Sequence, residues 1–164
     1  MVRRCTSGLA GAAVGANLGL QVNTAATGAA GPSGGNFSVI GATALDLFGA
    51  STAGVTFAAG STGTLELFDS QDFTGTIAGL APGNHLDLAD IAFGAGTTFG
   101  YTPNGGNTGG TLTITDGTHT ANLALLGSYV SANFAMSSDG NGGTAVVDPP
   151  AGSATNPQGL AAHV

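Results

Sequence analysis

Lysine and tryptophan are absent from this chain, and Arg3 and Arg4 are its only strong bases. Charged residues make up 7% of 164 residues, against about 25% in ordinary domains. A nucleic-acid binder neutralises phosphates with a basic footprint, and a net charge of -7 excludes one. A helical bundle or coiled coil draws on Glu, Lys, Arg and Leu, which are scarce here. The lone Cys5 cannot close an intramolecular disulfide. No hydrophobic run is long enough to span a bilayer: the small apolar stretch Gly8–Val22 falls short of about 20 residues and contains Asn17 and Gln21. The side-chain types that carry catalysis are few, which points away from an enzyme.

What is abundant is glycine, with 30 copies. They lack the every-third-residue period of collagen. Disorder requires low hydrophobicity as well, and here the mean hydropathy is +0.30. Leu, Ile, Val, Phe and Thr between glycine-rich turns form a β signature.

The chain divides into three parts. Residues 1–36 read as a flexible leader. Its Arg pair followed by small apolar residues has the outline of a weak signal segment, and Gly11, Gly15 and Gly19 have membrane-packing spacing. Residues 37–148 carry the ordered module. Residues 149–164, opening on Pro149-Pro150, read as a disordered tail.

Within the module four segments look alike: Leu45-Asp46-Leu47, Leu65-Glu66-Leu67, Leu86-Asp87-Leu88 and Leu112-Thr113-Ile114. Apolar residues two apart place one face in a core and the other in solvent. The starts are 20, 21 and 26 residues apart, the length of one solenoid coil. Second strands are expected at Val55-Thr56-Phe57, Phe73–Ile77 and Phe99-Gly100-Tyr101. Gly60, Gly63, Pro82-Gly83-Asn84 and Pro103–Asn107 supply corners, where left-handed backbone suits Gly and Asn. The fold expected is therefore all-β, a parallel β-solenoid with a C-terminal hairpin; the alternative is a Gly-rich β-sandwich. Thr118–Leu123 should return antiparallel to 111–115 through Asp116-Gly117. Leu125, Leu126, Tyr129, Val130 and Phe134 fall on helical spacing and predict a helix over Leu123–Phe134.

The segments Phe73–Leu80 with Leu86–Ile91, Gly109–Leu112 with Asp116–Gly127, and Ser138–Thr144 resemble modules of type I-secreted, autotransporter-like bacterial adhesin repeat proteins. The resemblance covers residues 37–150. It implies a secreted or cell-surface β-solenoid. Many such proteins bind Ca²⁺ through a Gly-Gly-x-Gly-x-Asp nonapeptide, of which this chain has no copy. Asp139-Gly140-Asn141-Gly142 is the nearest oxygen-rich turn, and Asp139, Asn141 and Asp116 are the metal candidates. The one acid of that turn is thin for a cation that takes 6–8 oxygens. No resident cofactor is expected.

In a stacked arrangement Asp46, Glu66 and Asp87 occupy equivalent outward positions and form an acidic ladder. It either binds cations or keeps the sheet solvated. The ladder together with Asp69 and Asp90 supplies the acids for a carbohydrate-active β-helix enzyme, the rival reading. Cys5, His85, His119 and His163 form no zinc or nucleophile spacing. Threonines two apart (Thr62 and Thr64, Thr74 and Thr76, Thr111, Thr113 and Thr115, Thr118 and Thr120) could order ice-like water on a flat face, or simply suit strands. The reading these features favour is a structural or adhesive module without catalysis. Its partners would be cell-surface glycans or further copies of itself, since uncapped edge strands pair.

Overall fold

The computed structural model describes residues 20–21 and 34–148. Most of the leader, including the signal-like and glycine-spaced stretches, and the whole of the tail lie outside these residues.

The described chain is all-β. Twelve strands run in order: β1 (Leu20–Gln21), β2 (Asn36–Val39), β3 (Ala44–Leu47), β4 (Gly54–Phe57), β5 (Thr64–Leu67), β6 (Thr76–Ala78), β7 (His85–Leu88), β8 (Thr98–Pro103), β9 (Gly109–Thr115), β10 (Thr120–Leu126), β11 (Ala135–Ser138) and β12 (Thr144–Val147). Single 3-10 turns occupy Ser70–Asp72 and Ser131–Asn133. The strands form two open sheets, ordered β1-β2-β4-β6-β10-β9-β8 and β11-β12-β7-β5-β3. Both are mixed.

From β2 to β7 successive strands alternate between the sheets. β2, β4 and β6 are mutually parallel in one, and β3, β5 and β7 in the other. The register follows the sequence echo. Leu45 pairs with Leu65 and Leu65 with Leu86, while Leu47, Leu67 and Leu88 form the second file. All six leucines are at most 3% exposed. Burying a leucine side chain contributes about 1.5–3 kcal/mol, so these files dominate the core on that side. Val39, Val55, Phe57 and Ile77 face them from the other sheet and are equally buried.

Corner chemistry follows from this stacking. Gly79 has φ +71°, and a Cβ there would collide with the Phe57 carbonyl oxygen of the neighbouring strand. Asn84 fills a corner of another kind. It is fully buried, accepts the Ala81 N–H at 3.0 Å, and donates to the Ser61 carbonyl at 2.9 Å and the Ser61 hydroxyl at 2.8 Å.

The second half departs from the expected stacking. Leu112–Thr115 is not a fourth copy of the Leu-Asp-Leu strand. It lies in β9, in the opposite sheet, antiparallel to β8 and β10. Phe99-Gly100-Tyr101 belongs to β8, the outer strand of this meander. The hairpin through Asp116-Gly117 does form, with Thr115 opposite Thr120, and it pairs β9 with β10. β10 then lies parallel to β6, and β12 antiparallel to β7.

The helix predicted over Leu123–Phe134 is absent. β10 continues to Leu126 with Ala121, Leu123 and Leu125 buried on one face, a period of two. Gly127, at φ +138°, ends the strand. Tyr129 and Phe134 reach the core from a loop and its 3-10 turn, and meet Tyr101 with ring centroids 6.0 and 5.5 Å away. Helical and strand periods coincide over such a short apolar run, and pairing with β9 decides between them.

Candidate functional site

The strand pairing sets Asp46 opposite Glu66, and Glu66 opposite Asp87. Parallel neighbours are about 4.8 Å apart, so these three carboxylates rise as rungs on the outer face of one sheet. Their chain neighbours Leu45, Leu65 and Leu86 point inward, which is why the acids must point out. Each rung is half-buried. A fourth acid, Asp139, joins electrostatically from the turn between β11 and β12. No local signal in the sequence links it to the ladder, because it arrives through the long-range pairing of β12 with β7.

The crowding has an electrostatic signature. Burial raises the Glu66 carboxyl above its ordinary 4.5, and Asp46, Asp87 and Asp139 push it further, aided by a hydrogen bond with Asp46. Burial also raises Asp87, with Asp139 and Asp46 adding and His85 opposing. One oxygen each of Asp46 and Asp87, Oδ1, is buried without a hydrogen-bond partner. Glu66 and Asp87 therefore hold their protons more tightly than free carboxylates do.

Beside it runs a second file. Phe48 and Phe68 follow the inward leucines of β3 and β5 and stack with centroids 4.1 Å apart and planes inclined by 15°. Phe68 is 38% exposed, so an aromatic surface borders the acids. Ala89 holds the corresponding position after β7 and ends this file.

The other sequence candidates are occupied differently. Asp139 Oδ1 accepts the backbone N–H of Asn141 at 2.7 Å and of Gly143 at 2.9 Å, so it shapes the β11–β12 turn it shares with Asn141. Asp116 lies in a different hairpin. Its Oδ1 accepts from Thr118 and His119 at 2.8 and 2.7 Å, its Oδ2 accepts from Ala92 at 3.1 Å, and His119 Nδ1 lies 3.1 Å from that same Oδ2. These N–H groups and the His119 imidazole hold its carboxyl well below the usual range. Asp90 accepts the Ser70 N–H at 2.9 Å, a strand-end clasp between successive turns of chain. Among the described residues no group of three or more His, Cys, Asp or Glu is placed to hold a metal ion. Nor is any helix among them long and apolar enough to cross a membrane.

Compared with known proteins, the chain matches no family model, no curated protein and no solved structure.

Proposed function

We propose that this protein is a structural and adhesive module, exported to the cell surface or beyond, that binds glycans without cleaving them. The observation that carries the reading is the repeated outer strip, with one carboxylate per strand beside a stacked phenylalanine pair. Carboxylates accept hydrogen bonds from sugar hydroxyls, and an exposed aromatic face takes the apolar face of a sugar ring. A periodic strip suits a periodic polymer. The alternation of parallel strands between two sheets is read here as three coils of a short β-solenoid closed by β10, parallel to β6, and β12, antiparallel to β7, and such scaffolds use extended surfaces for binding. The proposed module has no resident cofactor: Asp116 and Asp139 already serve backbone N–H groups, and its melting temperature should not move in millimolar Ca²⁺.

The test is co-sedimentation of the full chain with insoluble cellulose, chitin and peptidoglycan, with reducing ends measured in the supernatant. Saturable binding to at least one polymer, weakened by Phe68→Ala and by Glu66→Ala, is expected. Release of reducing sugar would favour a carbohydrate-active enzyme instead, and no binding to any of the three would overturn the adhesive reading.

A further inference from the structure

The tripeptide Asn-Gly-Gly occurs twice in this chain, at Asn104-Gly105-Gly106 and at Asn141-Gly142-Gly143. An asparagine before glycine carries a latent reaction. The backbone nitrogen of the next residue attacks the side-chain amide carbon, and glycine has no Cβ to obstruct the approach. The residues that follow each Asn are the same, so a difference in reactivity between the sites comes from the fold. Exposure does not supply one: Asn104, Gly105, Asn141 and Gly142 are all exposed. Nor do the attacking nitrogens, since the N–H groups of Gly105 and Gly142 both lack a hydrogen-bond partner among the described residues.

The side chains differ. Asn104 folds back on its own turn, between β8 and β9. Its Oδ1 accepts the Thr108 N–H at 3.0 Å, and its Nδ2 donates to the Thr108 hydroxyl at 3.2 Å. Thr108 thus clamps both ends of the carboxamide, and the reaction has to release that clamp. Asn141 has none. Its backbone N–H donates to Asp139 Oδ1 at 2.7 Å, but its carboxamide has no partner among the described residues. Gly140 and Gly142 flank it at φ +90° and +106°, and a Cβ on either would meet nothing within 4 Å. The side chain has room to turn and to close a ring. The two Asp-Gly pairs of the module are held otherwise. Asp116 Oδ1 and Asp139 Oδ1 each accept two N–H groups of their own turns, and an ionised carboxylate resists attack by a nucleophile.

We propose that Asn141 is a site of spontaneous deamidation, the Asn-Gly link of the module that the fold leaves free to react. The Gly142 nitrogen gives its proton to hydroxide and bonds to Asn141 Cγ. The Cγ–Nδ2 bond breaks, the nitrogen takes a proton from water, and ammonia leaves behind a cyclic succinimide. Water then opens the ring. Attack at Cγ yields an aspartyl residue, and attack at the main-chain carbonyl yields an isoaspartyl residue, whose backbone runs through Cβ and Cγ. Water is the only co-reactant, and nothing is oxidised or reduced.

Either product replaces a neutral amide by a carboxylate close in sequence to Asp139, whose charge reaches Glu66 and Asp87. The acidic strip therefore gains charge as the protein ages. The isoaspartyl form also lengthens the main chain inside the turn that Asp139 Oδ1 closes through the N–H groups of Asn141 and Gly143. The inference stands apart from the adhesive reading, since the reaction needs no polymer.

Mass spectrometry of chymotryptic peptides tests the site, after the full chain has been incubated folded in mildly alkaline buffer. Holding a group by two ordinary hydrogen bonds slows its reaction by about 5- to 150-fold, so Asn141 should convert faster than Asn104 by a factor in that range. Both aspartyl and isoaspartyl peptides should appear at position 141, because the ring opens either way. In chain kept unfolded by guanidinium chloride the two sites should convert at nearly the same rate. Thr108→Ala removes the hydroxyl partner alone and should speed conversion of Asn104 in the folded chain by about 2- to 12-fold, with Asn141 unchanged. An unaltered far-UV circular dichroism spectrum reports that this variant is folded. Equal rates at the two sites in the folded wild-type chain, a preference for Asn141 that persists in the unfolded chain, or aspartyl product alone at position 141 would each overturn the proposal.

Discussion

Asn84 offers the sharpest test of how the corner at residues 81–84 is clasped to Ser61. Its side chain is fully buried and makes three hydrogen bonds across a corner, one to Ala81 and two to Ser61, 23 residues earlier. Replacing it by Ala leaves the Ala81 N–H and the Ser61 carbonyl without partners, while the Ser61 hydroxyl can turn elsewhere. Each buried group left unpaired costs about 1–3 kcal/mol, so Asn84→Ala, which leaves two, should lose about 2–6 kcal/mol. For a domain of this size that corresponds to a fall of about 8–24 °C in melting temperature. Asn84→Asp discriminates the mechanism. Its carboxylate can still accept the Ala81 N–H, but its other oxygen faces the Ser61 carbonyl, acceptor against acceptor. The carboxyl is buried, so its pKa rises, and the protonated acid regains a donor for Ser61. Asn84→Asp should therefore be strongly destabilised at pH 7 and substantially restored near pH 4, relative to wild type at each pH. Thermal melts of wild type and both variants across this range give the answer. An Asn84→Asp deficit that is the same at both pH values would refute the hydrogen-bond account.

Three further outcomes are expected. The carboxyls of Glu66 and Asp87 are raised by folding, so the stability they withhold is present when they are protonated and is lost as pH rises from their ordinary 4.5 and 3.8 through the raised values. Wild type should gain stability as pH falls through the raised values toward these ordinary ones, and Glu66→Gln with Asp87→Asn should flatten that part of the profile in urea titrations. Asp116 acts in the opposite sense: its lowered carboxyl contributes stability above its ordinary 3.8 that is lost at lower pH. Asp116→Ala should lower the melting temperature at pH 7 and remove part of the acid-side decline, and an unchanged profile would count against its capping role. Gly79→Ala forces a side chain into left-handed backbone against the Phe57 carbonyl and should cost at least about 1–2 kcal/mol by chemical denaturation.

The first half of the module was legible because local pattern and long-range pairing agree there. Leu-Asp-Leu, Leu-Glu-Leu and Leu-Asp-Leu recur at 20 and 21 residues, and those offsets are the register of β3, β5 and β7. The ladder of Asp46, Glu66 and Asp87 followed from the same offsets. The second half was less legible because its partners are chosen at a distance. Leu112-Thr113-Ile114 has the same alternation as β3, β5 and β7, but its 26-residue spacing breaks the register, and the Asp116-Gly117 turn assigns it to a hairpin. Leu123–Phe134 fits two periods at once, and only the presence of β9 alongside selects the strand. Asp139 reaches the ladder because β12 pairs with β7, which nothing near Asp139 announces.

The pairing pattern also orders the folding of the chain in time. The paired residues of β3 and β5 are 20 apart in sequence, and those of β5 and β7 are 21 apart. The closing pairs reach further: Ile77 to Leu125 spans 48 residues, and Leu86 to Val146 spans 60. Longer loops are entropically dearer to close. A chain released N-terminus first can lay down its parallel turns one at a time, each on a short loop, while β6 and β7 wait as bare edges until β10 and β12 arrive. The interval between those events is when the protein is most exposed to pairing with a neighbour.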